Sequence, residues 1–354
     1  MSLDPSHWGL AMKAMNLVCV SIAALLSAIA RTVPRAMFAT ALACTAGMFA
    51  ASAQAVTLLH TWVASNGSDA ANCDRPTPCQ TFAVAVGKTS AGGEITCADS
   101  GNFGGLIISQ SLTINCESNI ASNLLSGSTS GIAISGTSVI VTLRGLDLDG
   151  GGLTTMFPCT GANNGASVIF SGSGTLHLQK MKIHSLTGPN CGVQFNPTGS
   201  ATLDITDSEI TDNGGGGLSA GIYVNPPSGV TAHVSIDHSR INNNYFGILL
   251  DGTAGGIING TINDSVVSGN GTNGITLHAA SSSVALLVDH TIVMGNNYGL
   301  VAGGNAAMRV RNSSVTANSV GLFAVNGASL LSYLNNSVNN NTTDGVFTGT
   351  VGLQ

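Results

Sequence analysis

Ser239-Arg240-Ile241-Asn242-Asn243-Asn244-Tyr245-Phe246-Gly247-Ile248 is one copy of a pattern that recurs through the second half of this chain. The pattern starts with a small polar residue, has Ile or Val two positions later and Asn five positions later, and ends with Gly and an apolar residue. It occurs six times, at intervals of 22 to 31 residues, starting at Ser208, Ser239, Ser265, Thr291, Ser313 and Asn336. A recurring unit of this size predicts a solenoid of stacked repeats.

Each repeat contains three short segments in which apolar and polar residues alternate, such as Ile222-Tyr223-Val224 and Val234-Ser235-Ile236. Alternation with a period of two predicts strands with one buried face. One coil of three short strands cannot bury its apolar face alone, but stacked coils can. The sequence therefore predicts an all-β fold, a right-handed parallel β-helix of about ten coils. The L-x-x-L-x-L periodicity of a leucine-rich-repeat horseshoe is absent.

Two columns of the repeat suggest how the coils stack. Aligned Asn side chains predict a ladder of amides that satisfies the turn backbone. Its members are Asn213, Asn244, Asn270, Asn296, Asn318 and Asn341. The Gly before the third strand is expected to allow a turn with positive φ. These glycines are Gly221, Gly247, Gly274, Gly299, Gly321 and Gly345.

The composition excludes several classes of protein. Charged residues make up 8% of the chain, hydrophobic residues 44%, and Gly accounts for 46 of 354 residues. This much apolar sequence argues against disorder, and the scarcity of charge argues against a coiled coil or a typical helical enzyme. A net charge of −6 with only 11 basic residues argues against a nucleic-acid partner.

The N-terminus indicates export. Apolar runs over residues 17–30 and 37–50 are followed by Ala53-Gln54-Ala55, a small-x-small cleavage signal. Each run is shorter than the roughly 20 residues that span a membrane. We expect a signal peptide with an upstream extension over residues 1–55, and no membrane span after cleavage. The location is then secreted, periplasmic or cell-surface. Losing Lys13, Arg31, Arg35 and Asp4 would leave the mature chain with a net charge of −8.

The remainder divides into an N-terminal cap with the first strands, residues 56–103, and the β-helix, residues 104–354. Residues 81–89 are expected to form a short helix that covers the first coil, because an open solenoid end exposes unpaired edges. No comparable cap is recognisable near the C-terminus. Residues 150–166 are rich in Gly and predict a loop projecting from its coil.

Six cysteines remain after cleavage, and an even number in an exported chain indicates disulfides. Proximity favours the pairs 73–79, 97–116 and 159–191 among many possible pairings. No C-x₂-C spacing supports zinc, so no metal site is predicted. The six residues are Cys73, Cys79, Cys97, Cys116, Cys159 and Cys191.

Several segments resemble a family of exported bacterial right-handed parallel β-helix proteins with the pectin-lyase-like fold. The opening of the family is matched by Thr61-Trp62-Val63, Gly67-Ser68-Asp69, Pro78-Cys79-Gln80-Thr81-Phe82, Gly92-Gly93-Glu94-Ile95, Phe103-Gly104 and Ser111-Leu112-Thr113-Ile114. Its ending is matched by Leu330-Leu331-Ser332-Tyr333 and Asn341-Thr342-Thr343-Asp344-Gly345. The resemblance spans residues 57–354 and implies the fold and export. It implies no activity, because this family has no general assigned one and fold does not fix function.

Enzymes of this superfamily are mostly polysaccharide lyases and glycoside hydrolases, with substrate in a groove along one outer sheet. The outward positions two residues before each repeat hold Thr206, Asp237, Asn263, Asp289, Arg311 and Leu334. Ile236-Asp237-His238 resembles an element of pectate lyases whose Asp binds catalytic calcium, but the Arg-rich motif that should follow is missing. Asp237 and Asp289 would lie two coils apart, ~9.6 Å, near the separation of an inverting carboxylate pair. The catalytic candidates are Asp237, His238, Asp289, His290, Arg309 and Arg311.

Few charges and a repetitive polar face favour an exported, non-catalytic scaffold that contacts glycans. The alternative is a polysaccharide lyase or glycoside hydrolase acting in a groove along the β-helix. Calcium is expected only under the lyase alternative, and no other cofactor is predicted. The expected partner is a polysaccharide. The ligand and the oligomeric state stay open.

Overall fold

The computed structural model describes residues 57–117, 119, 121–122, 131–151, 159 and 165–352. The chain divides into two compact units, Met1–Ala55 and Val56–Gln354. All described residues belong to the second unit, so the predicted signal peptide lies outside them. Within these described ranges, no helix is both long enough and apolar enough to cross a membrane.

The strands run parallel and form three columns, one strand from each column in a typical coil. The 19 strands of the larger sheet form two of these columns, which we name sheets A and C. Sheet A contains β1 (Leu58–Val63), β2 (Thr89–Cys97), β5 (Leu112–Asn115), β8 (Val139–Arg144), β11 (Gly174–Gln179), β14 (Ala201–Thr206), β17 (Thr231–Asp237), β20 (Ile257–Asn263), β27 (Ser329–Ser332) and β29 (Gly349–Thr350). Sheet C contains β4 (Leu106–Ile108), β7 (Ile132–Ile134), β10 (Ala166–Phe170), β13 (Cys191–Phe195), β16 (Ala220–Val224), β19 (Phe246–Asp251) and β26 (Val320–Val325).

Two long strands, β22 (Asn273–Asp289) and β24 (Tyr298–Arg311), run from sheet C into sheet A without a break. The second sheet, sheet B, has one short strand per coil. Its strands are β3 (Gly101–Asn102), β6 (Ala121–Ser122), β9 (Leu146–Asp149), β12 (Lys182–His184), β15 (Glu209–Thr211), β18 (Arg240–Asn242), β21 (Val266–Ser268), β23 (Ile292–Met294), β25 (Ser314–Thr316) and β28 (Ser337–Asn339). These ten strands, counted over the described residues, fit the predicted coil number and confirm the parallel β-helix.

The core runs along the inside of the coils. In one coil Val234 and Ile236 of sheet A, Ile241 of sheet B and Ile248 of sheet C are all buried, while the residues between them point outward. These inward side chains belong to one continuous apolar cluster. The alternation seen in the sequence is therefore the inside–outside alternation of each strand.

The predicted Asn side chains form one ladder at the turn between sheets B and C. From Asn213 to Asn318, the Nδ2 of each Asn donates to the Oδ1 of the Asn in the next coil, at 2.9 to 3.2 Å. Each Oδ1 also accepts the backbone N–H of the preceding ladder Asn, from Asn213 to Asn318. Asn213, Asn244, Asn270, Asn296 and Asn318 are buried, so these bonds satisfy groups that would otherwise be costly.

The expected reason for the Gly column is wrong for five of its six members, because only Gly345 has a positive φ, 73°. A Cβ on Gly221, Gly247, Gly274, Gly299 or Gly321 would lie 2.8 to 3.0 Å from the Nδ2 of a ladder Asn. The column is glycine because the amide of the next coil occupies the space. Positive φ falls instead on the residue before each ladder Asn, namely Asp212, Asn243, Gly269, Gly295, Ala317 and Asn340.

The predicted helix over the first coil is present as α1 (Phe82–Lys88), with Thr81 as its N-cap. Phe82 and Ala85 are buried, and the Phe82 ring meets Phe103 edge-on with centroids 5.2 Å apart. A nonpolar helix face over the first coil keeps its interior from water.

Three disulfide bonds join the expected cysteine pairs, Cys73–Cys79, Cys97–Cys116 and Cys159–Cys191. The third ties the predicted projecting loop to the outer surface of sheet C. Residues 152–158 and 160–164 of that loop lie outside the described residues. Disulfides and this fold are typical of extracellular proteins.

Candidate functional site

The outer face of sheet A carries two polar columns along the length of the solenoid. Strand register aligns Trp62, Thr96, Asn115, Arg144, Gln179, Thr206, Asp237, Asn263, Asp289 and Arg311 in the first. The second holds His60, Glu94, Thr113, Thr142, His177, Asp204, Ser235, Thr261, Leu287, Arg309 and Leu331. We name this surface the sheet A face.

The register departs from the sequence-based columns in the last coil. Arg309 pairs with Leu331 and Val310 with Ser332, while Ser314 pairs with Ser337. The turn between β27 and β28 is therefore one residue longer than the turn between β24 and β25 in the preceding coil. The expectation that Leu334 follows Arg311 in the column is wrong, and Leu334 is instead 76% exposed.

Asp289 lies at the centre of one cluster of the predicted residues. Arg311 Nε and Nη2 approach its Oδ2 at 2.7 and 2.5 Å, and His290 Nδ1 lies 2.9 Å from its Oδ1. Asn312 Nδ2 donates to the same Oδ1 at 3.0 Å. Burial alone would raise the pKa of Asp289, but the bonds from Arg311 and Asn312 outweigh it and leave the pKa below its ordinary value. The carboxylate is ionised and its oxygens are engaged.

Asp237 and His238 form a second, more exposed cluster. His238 Nδ1 lies 2.8 Å from Asp237 Oδ2, and Asn263 Nδ2 donates to Asp237 Oδ1 at 2.9 Å. Partial burial raises the pKa of Asp237, but these two bonds outweigh it and lower the pKa overall. The bond to Asp237 raises the pKa of His238, and the charges of Asp237, Asp264 and Asp207 add to the effect. The pair is thus an ion pair over part of the acidic range.

Asp264 completes a group whose ligand atoms, with those of Asp237 and His238, lie within 4.8 Å of one another. This spacing matches what a divalent cation needs from its ligands. The amide nitrogen of Asn263 donates to both carboxylates, to Asp237 at 2.9 Å and Asp264 at 2.6 Å. The Asn263 amide therefore donates a hydrogen bond to each of the two carboxylates, and these bonds partly offset the repulsion between them.

An open groove of about 300 Å³ lies on the sheet A face, over β14, β17 and β20. Most of its lining consists of short polar side chains in outward positions. The residues are Thr202, Asp204, His233, Val234, Ser235, Asn259, Gly260 and Thr261. At its edge, His177 Nδ1 lies 3.1 Å from Asp204 Oδ2. The groove offers hydroxyl, amide, imidazole and carboxylate groups to a ligand.

None of the six catalytic candidates lines this groove. Asp289, His290 and Arg311 meet in one cluster, Asp237 and His238 in another, and Arg309 points outward in the neighbouring column. Thr202, His233 and Asn259 were not singled out from the sequence. The alternation within each strand marks them as outward positions, but it does not indicate which outward residues surround a depression.

A family model described as a right handed beta helix region matches residues 166–343, half of the chain. Two solved structures are similar in fold. The crystal structure of pectate lyase Pel9A has a TM-score of 0.47 and 16% identity, covering 83% of this chain and 80% of that chain. The complex of XylC with xylose has a TM-score of 0.47 and 10% identity, covering 78% and 72%. No curated protein matches the chain. Identities of this size carry no activity from one protein to another.

Proposed function

The chain belongs to the right-handed β-helix family, and from this premise we propose that it is an exported scaffold that contacts glycans through the sheet A face without cleaving them. The observation that carries the proposal is the groove over β14, β17 and β20. Its floor offers side chains from three neighbouring strands at the strand spacing of about 4.8 Å. A row of hydroxyl and amide groups at that spacing suits the hydroxyl-rich surface of an extended polymer.

The length of the face also supports contact with a polymer. Its outward columns pass from Trp62, whose ring stacks on His60 at 3.8 Å, to Arg309 and Arg311 nine strands later. A stacked aromatic pair at one end offers a flat apolar surface for a sugar ring. Many weak contacts along one rigid surface add up through multivalency.

The state of the acids supports binding over catalysis. A general acid must hold a proton near neutral pH, which requires a raised pKa. The pKa values of Asp237 and Asp289 are both lowered, and the Asp289 side chain is 8% exposed. The alternative, a lyase or hydrolase, draws on the position of these two acids in one column two coils apart.

One experiment separates these functions. The purified protein is incubated with a neutral β-glucan, a xylan and polygalacturonate, with calcium or with chelator. Binding is read by affinity electrophoresis, and cleavage by new reducing ends and unsaturated-uronate absorbance. We expect retardation by a neutral glycan without product. Product that disappears in Asp237→Ala or Asp289→Ala would establish the alternative.

Substitutions locate the contact. Ser235→Ala with Thr261→Ala should weaken binding about thirtyfold, because two lost hydrogen bonds at about 1 kcal/mol each total about 2 kcal/mol. Thr316→Ala, an outward residue of sheet B, is the matched control and should bind as the unaltered protein does. Equal binding by all variants would remove the groove from the proposal.

A further inference from the structure

On the outer surface of sheet B, three side chains from β9, β12 and the residue after β12 form a chain of hydrogen bonds. Ser185 Oγ lies 2.8 Å from His184 Nδ1. His184 Nε2 lies 2.7 Å from Asp147 Oδ1. Asp147 is 37 residues earlier in the chain and reaches the imidazole because β9 and β12 pair with Asp149 opposite His184. We name these three residues the sheet B triad.

The protons of the sheet B triad follow from what each group can do. An ionised carboxylate only accepts hydrogen bonds, so the Nε2 of a neutral His184 carries the hydrogen that faces Asp147. The lone pair is then on Nδ1 and accepts the Ser185 hydroxyl. The hydroxyl, base and carboxylate are arranged as in a Ser-His-Asp triad, with the roles of the two ring nitrogens exchanged.

The surroundings hold this arrangement and leave it accessible. Ser185 has a φ of 62°, the conformation that later coils also adopt at this position of the turn, so the coil itself fixes the serine. The His184 side chain is 16% exposed and Asp147 27%. The preceding coil brings Gly150, which has no side chain, against the Ser185 carbonyl. Lys182 Nζ lies 3.9 Å from Asp147 Oδ2, and Asp149 Oδ1 lies 3.7 Å from His184 Nδ1, so charges of both signs border the triad.

The position that His184 occupies in β12 is not a histidine in the later coils, which have Thr211, Asn242, Ser268, Met294, Thr316 and Asn339 there. A second His-Ser pair, His238 and Ser239, provides a contrast. His238 also contacts an aspartate, but Ser239 is buried and its Oγ donates to the backbone oxygen of Asp237 at 2.8 Å. Only Ser185 of these two serines has its hydroxyl on an imidazole.

We propose that the sheet B triad is an acyl-transfer site for small carboxylic esters, with Ser185 as nucleophile, His184 as general base and Asp147 as the residue that orients it. The Ser185 Oγ bonds to the acyl carbon, and the bond from that carbon to the alkoxy oxygen breaks. The hydroxyl proton passes to His184 Nδ1 and then to the departing alcohol. Water repeats the exchange, so the acid is released and the Ser185 hydroxyl is restored.

The test uses a fluorophosphonate reagent, which modifies activated serines, and p-nitrophenyl acetate as ester. We expect peptide mass spectrometry to find the label on Ser185 and not on Ser239. Labelling and acetate release should both fall about 100-fold in His184→Gln, the size of a general-base contribution. Asp147→Asn should act in the same direction, and His238→Gln is the matched control that should change neither.

Thermal unfolding establishes that each variant is folded. Labelling of the unaltered protein tests the proposal even if a variant fails to fold. A folded, unaltered protein that takes up no label on Ser185 would overturn the proposal. Labelling of Ser185 that is undiminished in both His184→Gln and Asp147→Asn would also overturn it. This site lies on sheet B, so the outcome is independent of glycan contact on the sheet A face.

Discussion

The Asp344 carboxylate accepts hydrogen bonds from both the backbone N–H and the side-chain amide of Asn341, at 3.2 and 2.9 Å. These are the two bonds that Asn318 gives to Asn341 in the preceding coil. Asp344 therefore takes the place of the next ladder residue and ends the ladder. The column of six asparagines in the sequence did not indicate this last acceptor.

Asp344→Ala should destabilise the last coil, because two donors of Asn341 lose their acceptor. We expect a loss of about 1 kcal/mol, since the site is exposed and water can replace part of the contact. Asp344→Asn keeps an oxygen in place and should retain most of the stability. Thermal unfolding and hydrogen exchange of the Asn341 amide measure both. Equal losses in the two variants would contradict the capping role.

Gly247→Ala should be severely destabilising. Its Cβ would lie 2.4 Å from the Gly274 oxygen and 2.8 Å from Asn270 Nδ2, so backbone or ladder must move. Overpacking of this kind costs about 3 kcal/mol. Gly216→Ala is the matched control, because no atom of the described residues lies within 4 Å of a Cβ at that position. Denaturant unfolding compares the two, and a similar stability for both variants would refute the steric explanation of the Gly column.

Ala317→Gly should stabilise the protein by up to about 1 kcal/mol. Ala317 has a φ of 55°, a left-handed conformation that penalises any Cβ by roughly that amount. Ala317 is exposed, so no packing is lost. Ala307→Gly, within β24, should destabilise instead, because Gly weakens a strand. Melting temperatures that move in the same direction for both variants would contradict this account.

The pKa of His238 should exceed 6.5 and fall in Asp237→Asn, because the bond to Asp237 is the main cause of its elevation. Asp264→Asn removes a smaller charge effect and should change the pKa less. NMR titration of the imidazole measures all three proteins. A larger change in Asp264→Asn than in Asp237→Asn would contradict the assignment.

The pH dependence of the stability of the fold follows from the pKa shifts of the same two residues. The raised pKa of His238 means that its contribution to stability is present below pH 6.5 and is lost as pH rises through the folded-state value. The lowered pKa of Asp237 means that its contribution is present above pH 3.8 and is lost as pH falls through the folded-state value. The pair should therefore stabilise the fold most between these limits. Unfolding midpoints of the unaltered protein and His238→Gln should differ most in that window.

Sequence periodicity was sufficient to predict stacked coils of short parallel strands. Alternation marks the inside and outside of a strand because successive side chains point to opposite faces. A repeated Asn marks the stacking axis because an amide both donates and accepts, so it can bond to its own copy in the next coil. Asn244 and Asn270, or Gly247 and Gly274, are thus recognisable as equivalent before any coordinate is known. The cysteine pairs were also predictable, because each pair is near in sequence.

The functional surfaces depended on the register between coils, which the tertiary structure alone decided. Turn length varies from coil to coil. Because the turn before β28 is one residue longer than in the preceding coil, Leu331 lies beside Arg309, where the repeat spacing would place Ser332. The groove arises where short side chains from three strands coincide. His184, Ser185 and Asp147 meet because a diagonal contact joins two coils. Local sequence determines which way a side chain points, whereas its neighbours in the next coil depend on how much chain each turn consumes.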